Sequence, residues 1–536
     1  MVKKTNKLTK RTQLSKKNKE EIKADVQPIS TDLQVNLDNI KEVFTKCSDI
    51  VFREFLIGYQ APVKAALIYV DGLTDKVAIH DYILKSLTLE ARASKPNIEL
   101  NLDDIYKWIE ESTITVAEKK QVENLDDVMS GFLSGDTALL MDGWSKALVI
   151  GTKGWASRGI SEPDSEVVIR GPREGFTETV RINTSMIRRR LHSNKLKIEG
   201  RKIGTYTQTD VVVLYMDGIV NPKIVKEVHK RLDGINEVDS ILETGCIEQY
   251  IEDHPYSPFP QIQYTERPDK VVAYLLEGRV IIMVDGSPDC LIAPTVFIQF
   301  LQSPEDYYSR ILMSTVLRWI RFIGVFTAVT LPALYIAITT FHQEMIPTNL
   351  ALSISGAREG VPFPALIEAL IMEISLELLR EASVRLPGAI GSTLGIVGAL
   401  IVGQAAVEAK LVAPQMVIIV ALTAIGSFTV PSFAASIPLR LIRFPLMILG
   451  AIFGLYGVML GWIGILVHMI SLKSFGFPYL APLAPLRISE LKDVLIRAPR
   501  WQMMTAPQFR KPTEKPPKSF LRKPYVKNLK GAGKND

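Results

Sequence analysis

Hydrophobic and polar positions divide this chain into two unlike parts. Over residues 1–300 the apolar positions come in short runs broken by charge, whereas residues 317–472 hold long uncharged runs. In the first part, Leu67-Ile68-Tyr69-Val70-Asp71-Gly72 is an apolar run closed by an Asp-Gly pair, followed by helical periodicity to about Ser86. The same order recurs at Val213-Leu214-Tyr215-Met216-Asp217-Gly218, with helical periodicity to about Leu232. A second motif pair follows: Gly135-Asp136-Thr137-Ala138-Leu139-Leu140-Met141-Asp142-Gly143 aligns without a gap on Gly278-Arg279-Val280-Ile281-Ile282-Met283-Val284-Asp285-Gly286. Asp71 and Asp142 are 71 residues apart and Asp217 and Asp285 are 68 apart, so the two pairs keep both order and spacing. The pattern predicts two related α/β subdomains, 40–165 and 200–300, joined by a connector at 166–199. The first is expected to carry extra helix around 101–120 and 124–133.

The second part predicts membrane-spanning helices. The runs 317–341, 388–411, 412–435 and 444–472 are each long enough to cross a hydrocarbon core of about 30 Å at about 1.5 Å per residue. The last is long enough to be tilted or broken. The fold class read from the pattern is therefore a soluble α/β N-terminal region of two related subdomains followed by an α-helical multi-pass membrane domain over 301–472. Arg310, Arg318 and Arg321 suit the cytosolic end of the first span. Between the first two runs, residues 364–385 form an apolar helix with charges. Glu373, Glu377, Arg380, Glu381 and Arg385 share one face, Leu370, Ile371, Ile374 and Leu378 the opposite one, and Glu368 lies off the charged face. That helix lines a cavity or pore, or lies at the interface with its charges paired as Glu377–Arg380 and Glu381–Arg385. The span count does not close from sequence. Four spans keep both basic tails on one side but strand Arg440 and Arg443 outside, five spans do the reverse, and Pro431, Pro438 and Pro445 point to broken helices there.

Charge sharpens this picture at the ends. Of the net charge of +6, much sits in two basic tails, 1–39 and 473–536, both expected to be disordered and placed to meet anionic headgroups or simply to stay solvated. No motif supports nucleic-acid binding. The start of the chain lacks the apolar stretch of a cleavable signal, so the first membrane run is expected to direct insertion. Cys47, Cys246 and Cys290 are scattered, form no CxxC pair or zinc spacing, and read as ordinary thiols.

Candidate chemistry is sparse. Four aspartates end four predicted strands, which admits a catalytic carboxylate or a ligand crevice between the subdomains, but Asp-Gly is also what a tight turn needs. There is no GxxxxGK[ST], HExxH or GxSxG motif and the histidines form no cluster, so the reading is a non-enzyme with no cofactor or metal. The connector carries Arg170, Arg173, Glu174, Arg188, Arg189 and Arg190, an anion or partner site or an ion-paired surface. The run 388–411 is rich in small residues, including Gly395, Gly398 and Gly403, with Gln404 and Glu408 as a polar stripe. These residues either pack helices closely or, with Glu373, Glu377 and Glu381, line an ion path.

Several stretches together resemble the GerA family of spore germination proteins, A subunit, over about residues 40–500. They are Arg170-Gly171-Pro172-Arg173-Glu174 with Arg188-Arg189-Arg190; Gln302-Ser303-Pro304-Glu305-Asp306-Tyr307-Tyr308; and Arg440-Leu441-Ile442-Arg443-Phe444-Pro445-Leu446-Met447. Ser257-Pro258-Phe259-Pro260-Gln261, Leu379-Arg380-Glu381-Ala382 and Gly403-Gln404-Ala405-Ala406-Val407-Glu408-Ala409 agree with them. The resemblance implies a subunit of a nutrient germinant receptor in the spore inner membrane. Its implied partners are a permease-like B subunit, a lipoprotein C subunit, membrane lipids and further copies of itself, and its implied role is a nutrient-gated cation conduit. The alternative is a secondary transporter, which the intramembrane carboxylates also suit, although the visible repeat lies in the soluble part.

Overall fold

The structure is a computed structural model that describes residues 27–57, 63–90, 119–154, 162–163, 166–235, 237–385, 398, 401–488 and 490–499. Its first unit opens with helix α1 (Leu33–Val43). The five strands that follow are β1 (Ile50–Ile57), β2 (Val63–Val70), β3 (Lys119–Val122), β4 (Thr137–Met141) and β5 (Ala147–Ile150), with helix α2 (Leu125–Leu133) between β3 and β4. The sheet order is β1-β2-β4-β5-β3, all antiparallel. Strand β4 is buried along its whole length, so it reads as a continuous apolar run rather than an alternating one.

The second unit repeats this plan. Helix α3 (Val180–Arg190) precedes β6 (Leu196–Ile203) and β7 (Thr209–Met216). Helices α4 (Pro222–Asp233) and α5 (Thr244–Ile251) follow, then β8 (Gln263–Thr265), α6 (Pro268–Glu277), β9 (Val280–Val284) and β10 (Cys290–Ala293). The order β6-β7-β9-β10-β8 is that of the first sheet, strand for strand. Each sheet is covered by apolar side chains on both faces.

Duplication extends to individual hydrogen bonds. The Leu33 N–H donates to Asp142 Oδ1 at 3.1 Å and the Val180 N–H to Asp285 Oδ1 at 2.9 Å. The Asn36 amide clasps the Ser30 backbone as Asn183 clasps Thr177. Two of the four Asp-Gly aspartates therefore cap the first helix of their own unit from over a hundred residues away. Their glycines, Gly143 and Gly286, turn at φ 84° and 88°. This is turn and capping chemistry.

Two boundaries differ from the sequence reading. Helix α3 lies within the expected connector 166–199, yet it is the counterpart of α1, so the second unit begins near residue 177 and the first before residue 40. Helix α2 is no addition, because α6 fills the same place between strands three and four of the second unit. The other expected extra helix, 101–120, lies almost wholly outside the described residues.

After a short helix at Glu305–Tyr308 the chain enters the apolar bundle. Its helices are α7 (Ile311–Phe341), α8 (Thr348–Arg358), α9 (Ala365–Arg385), α10 (Pro414–Phe428) and α11 (Phe433–Ser471), with further helix at 401–408. Helices α7 and α11 are long and apolar enough to cross a membrane by length and composition. Straight, the 39 residues of α11 would reach about 58 Å. They do not run straight, because Gly454 adopts φ 63° and ψ −143°, open essentially only to glycine. The chain reverses there: Gly457 packs on the Leu449 carbonyl and Gly461 on the Leu446 side chain, contacts impossible along one straight helix. The run 444–472, expected to be tilted or broken, is thus broken at Gly454 and belongs to a helical hairpin starting at residue 433. Helix continues through Pro438 and Pro445, and the break that the prolines predicted falls on glycine instead.

The hairpin tip sits against Phe341 and His342 at the end of α7, and Trp462 on the returning limb donates to Thr330 at 3.1 Å. The returning limb ends beside the second unit, where His468 meets Ser257 at 3.0 Å. Residues from 473 on do not trail away as the expected C-terminal tail. Ser474 donates to the Gln261 carbonyl at 2.7 Å, Phe297 donates to the Tyr479 carbonyl at 2.8 Å, and Tyr479 is buried. The basic N-terminal stretch 1–26 and residues 500–536 lie outside the described residues.

Candidate functional site

Charged groups gather at three places: the seam between the two units, the joint to the bundle, and one layer inside the bundle. The seam is built on Arg188. Its side chain is 0% exposed and that of Asp49 is 1% exposed, and the two form a fork, Nε to Oδ2 at 2.8 Å and Nη2 to Oδ1 at 3.1 Å. Nη1 donates to the carbonyls of Ser193 and Leu196. Beside it Ser48 donates to the Ile198 carbonyl at 2.9 Å, so the loop after α1 extends along the edge strand β6. Gly200 keeps this approach open, since a β-carbon there would stand 3.0 Å from Ser48 Oγ. Next to the seam Glu199 accepts from Tyr215 at 2.5 Å and pairs with His229 at 3.0 Å. Burial pushes its carboxyl up, but the hydrogen bonds from His229 and Tyr215 win and hold it at about 2.

Neighbouring arginines turn to the joint. Arg189 and Arg190 clamp Glu174 at 2.5 Å and 2.6 Å, bringing two of the motifs singled out in the sequence together. Arg173 makes only an exposed pair with Glu162, and Arg170 is exposed. Gly171 lies against the Tyr308 ring. Tyr308 donates to Asp269 at 2.6 Å, Asp269 pairs with the buried Arg267 at 3.1 Å, and Arg267 donates to the Pro172 carbonyl at 2.8 Å. One turn away, buried Asp306 accepts from Arg318 at 3.2 Å and from Arg321 at 2.7 Å and 2.9 Å. Arg318 also reaches Asp493, which takes the Tyr307 hydroxyl at 2.8 Å. Arg318 and Arg321, expected at the cytosolic end of the first span, are neutralised by Asp306 and Asp493, and Tyr307 and Tyr308 bond to carboxylates. The C-terminal segment serves here as a strap over the root of α7.

The third layer lies between α9 and the outgoing limb of α11. Glu373 and Arg443, 1% and 3% exposed, pair at 2.9 Å. Glu377 pairs with Arg440 at 2.6 Å and with Arg380 at 3.4 Å, and Arg380 bonds the Ser427 hydroxyl at 3.3 Å. Glu368 takes Arg358 at 3.1 Å and the Ala413 N–H at 2.9 Å. The charged face of α9 is thus turned inward, while Ile371, Ile374 and Leu378 on its opposite face are exposed. An exposed apolar face over a buried charged one inverts the arrangement of a water-soluble helix.

Other expected ion-path residues fall elsewhere. Gln404 and Glu408 share a hydrogen bond of 3.1 Å on the outer surface. Gly403 is buried against Val417, and a β-carbon at Gly398 would stand 2.9 Å from Leu379 Cδ1, so both glycines are packing positions. Glu381 is exposed, one turn beyond Glu377 on α9, and Gly395 lies outside the described residues. Sequence reasoning missed Asp49, Asp306, Asp493 and Asp269. Asp306 stood inside a quoted motif, but nothing local marked the other three. Among the described residues no group of His, Cys, Asp or Glu is arranged to hold a metal ion.

A duplicated antiparallel α/β region, fastened by buried arginines to an apolar helical bundle, defines a two-part protein, and two helices of the bundle are long and apolar enough to cross a membrane. A family model described as Bacillus/Clostridium GerA spore germination protein matches residues 38–509, and the chain belongs to that family, whose role is in spore germination. It is 46% identical to spore germination protein KA of Bacillus subtilis over 88% of this chain and 86% of that protein. It is 40% identical to spore germination protein B1 of the same organism, over 92% and 99%. An uncharacterized membrane protein, YfkQ, of Bacillus subtilis is 46% identical over 90% and 92%. A crystal structure of the N-terminal domain of the A subunit of the Bacillus megaterium spore germinant receptor GerK3 is 38% identical, over 51% of this chain and 98% of that one, at a TM-score of 0.40.

Proposed function

We propose that this chain is the A subunit of a nutrient germinant receptor, crosses the spore inner membrane six times, and lines a cation conduit between several copies. It works there with a permease-like B subunit and a lipoprotein C subunit. Contacts support this count. Helix α7 leaves the soluble units. Helix α9 returns, since Glu368 sits at the far end beside Ala413 and Arg380 at the near end beside Ser427. The chain must cross again before Lys410, which lies beside Gly360 at the far end. Helix α10 returns, and the two limbs of α11 go out and back. Six is even, so both ends of the chain share the soluble, cytosolic side. On this reading Arg440 and Arg443 pair with Glu377 and Glu373 inside the bundle, and neither the four-span nor the five-span arrangement is needed.

The observation that carries the conduit is the Gln404–Glu408 pair. It lies on the outer surface of one copy, on a helix that also exposes Ile401 and Val402. A carboxylate facing lipid is costly, so at membrane depth such a stripe faces water or another chain. Copies arranged around an axis would set these carboxylates in a ring, as in cation-selective pores. Glu408→Gln keeps the shape and removes the charge. Cation release from spores given a complete amino-acid mixture with glucose is expected to slow or lose selectivity, at unchanged receptor abundance. Release at the wild-type rate and selectivity would overturn the assignment.

A further inference from the structure

We propose that the C-terminal strap is a membrane anchor: residues 486–496 and the root of α7 together form an apolar ledge that lies on the cytosolic face of an anionic bilayer. The inference rests on the reading of α7 as a membrane crossing and adds to it a second contact that does not span. Leu312, Val316, Trp319 and Ile323 are spaced by four, three and four residues, so they share one stripe of α7. All four are exposed, Leu312 by 81%. The strap runs beside this stripe, because Trp319 Nε1 donates to the Leu495 carbonyl at 2.9 Å and the Arg497 N–H to Thr315 Oγ1 at 3.3 Å. Val494, Arg497 and Ala498 face inward and are buried, whereas Leu486, Ile488, Leu495 and Ile496 are exposed, Ile488 by 73%. Turn bonds from the Leu491 N–H to the Arg487 carbonyl and from the Leu495 N–H to the Leu491 carbonyl, both 3.3 Å, keep Leu486 and Ile488 within about two turns of Leu495. An exposed apolar stripe widened by a second exposed segment is a surface that water-facing proteins rarely carry without a partner.

Depth identifies the occupant. Helix α7 has 31 residues, about 46 Å, against a hydrocarbon core of about 30 Å. Its far end is marked by the hairpin tip, where Gly454 packs on Phe341 and His342. The surplus of about 16 Å therefore falls at the root, over about eleven residues. Trp319 and Val316 then stand within about 8 Å of the core boundary, in the headgroup layer, with Leu312 at its outer edge. Tryptophan suits that layer, and the Trp319 N–H is already satisfied by the strap. Charge agrees. Arg310, next to the first turn of α7, and Lys492, three residues before Leu495, are exposed, and neither pairs with a carboxylate among the described residues. An anionic surface favours each such cation about fivefold. On its other side the strap holds the protein, with Asp493 on Arg318 at 3.0 Å. One short segment thus ties the joint to the bilayer surface and sets the height of α7.

Depth-dependent quenching tests this in the full-length chain, with Cys47, Cys246 and Cys290 replaced by alanine. A bimane label is placed on one cysteine, introduced as Ile488→Cys, Ile496→Cys, Phe326→Cys or Leu56→Cys, all at exposed positions. The protein is held in phosphatidylglycerol nanodiscs brominated either near the headgroup or near the chain ends. Labels at 488 and 496 are expected to dim about twofold with headgroup-proximal bromine, the label at 326 with chain-end bromine, and the label at 56, on β1, with neither. Phosphatidylcholine discs, or Arg310→Glu with Lys492→Glu, should weaken quenching at 488 and 496 about twofold and leave 326 unchanged. Normal quenching at 326 with none at 488 and 496 overturns the anchor and leaves the crossing standing. No quenching at 326 refutes the crossing and the anchor together. Quenching at 488 and 496 that ignores both lipid charge and the two glutamates overturns the anionic surface. Labels at 488 and 496 shielded only when the permease-like and lipoprotein subunits are co-purified mark a protein interface instead, and that too overturns the anchor.

Discussion

Removing the guanidinium of Arg188 would strand one of the most buried carboxylates in the soluble region. Arg188 is 0% exposed and gives Asp49 two hydrogen bonds and the carbonyls of Ser193 and Leu196 one each. Arg188→Ala deletes all four and leaves the buried Asp49 side chain without a partner. Breaking a buried pair by removing one member typically costs about 3–5 kcal/mol, roughly a thousandfold in the local opening equilibrium. Replacing both members, as Asp49→Leu with Arg188→Met, removes the stranded charge, and such double replacements are often neutral to within about 1–2 kcal/mol. Hydrogen exchange of the full-length chain in detergent, read at peptides spanning 46–49 and 180–200, reports the opening free energy of the seam directly. The single variant should lose protection there by about three orders of magnitude, with α5 and β8 little changed. The reasoning is refuted if Arg188→Ala costs less than about 1 kcal/mol, or if the apolar double variant opens as easily as the single one.

Gly454→Val places a branched side chain at φ 63° and ψ −143°, where a β-carbon already stands 2.7 Å from the His342 ring, so the hairpin should fail and receptor abundance fall to near zero, read by immunoblot of spore membranes. Asp306→Asn removes the charge that neutralises Arg318 and Arg321, and should destabilise the joint by about 2–4 kcal/mol, seen as faster proteolysis between residue 300 and α7 with the sheets intact. Burial, then the charges of Glu252, Asp289 and Glu243, push Glu248 on α5 up to about 8 from an ordinary 4.5. The unfolded chain sheds that proton first, so the fold binds more protons between these values and loses stability as pH rises from about 4.5 to about 8. The thermal midpoint of the full-length chain should therefore be lower at about pH 8 than at about pH 5, by an amount worth roughly 1–3 kcal/mol, and Glu248→Gln should flatten that decline.

What the sequence made legible was whatever repeats or alternates locally. The Asp-Gly pairs at 71, 142, 217 and 285 carry the duplication because each closes a strand with a fixed turn, and turn chemistry is written in two residues. Helix α3 was lost into a connector because its sequence, Val180–Arg190, carries Arg181 in its first turn and Arg188, Arg189 and Arg190 in its last. Its kinship with α1 lies in one asparagine and one capping bond to Asp285, 105 residues away. The charges on α9 were legible as a face, but their partners were not, since Arg440 is 63 residues from Glu377 and only the reversal of the chain brings them together. Gly454 was invisible for a related reason. A glycine within an apolar run is compatible with straight helix, and nothing in the neighbouring residues says that this one takes a left-handed φ while Gly450 and Gly457 remain helical.

Stability alone does not account for the buried charges of α9 and α11. A pair as buried as Glu373–Arg443 gains little over well-packed apolar side chains of similar volume, and often loses to them. The seam and the joint repay burial with forked or multiply shared bonds: Arg188 with two carboxylate contacts, Asp306 with two arginines. The innermost rung of the α9 layer is a single contact of 2.9 Å that leaves Glu373 Oε1 and Arg443 Nε without hydrogen-bond partners, as the joint leaves Arg318 Nη2, Arg267 Nε and Asp269 Oδ1. The seam is the most completely bonded of the three layers, since Arg188 places Nε and Nη2 on Asp49 and Nη1 on two carbonyls, and it is there that a single truncation should cost most.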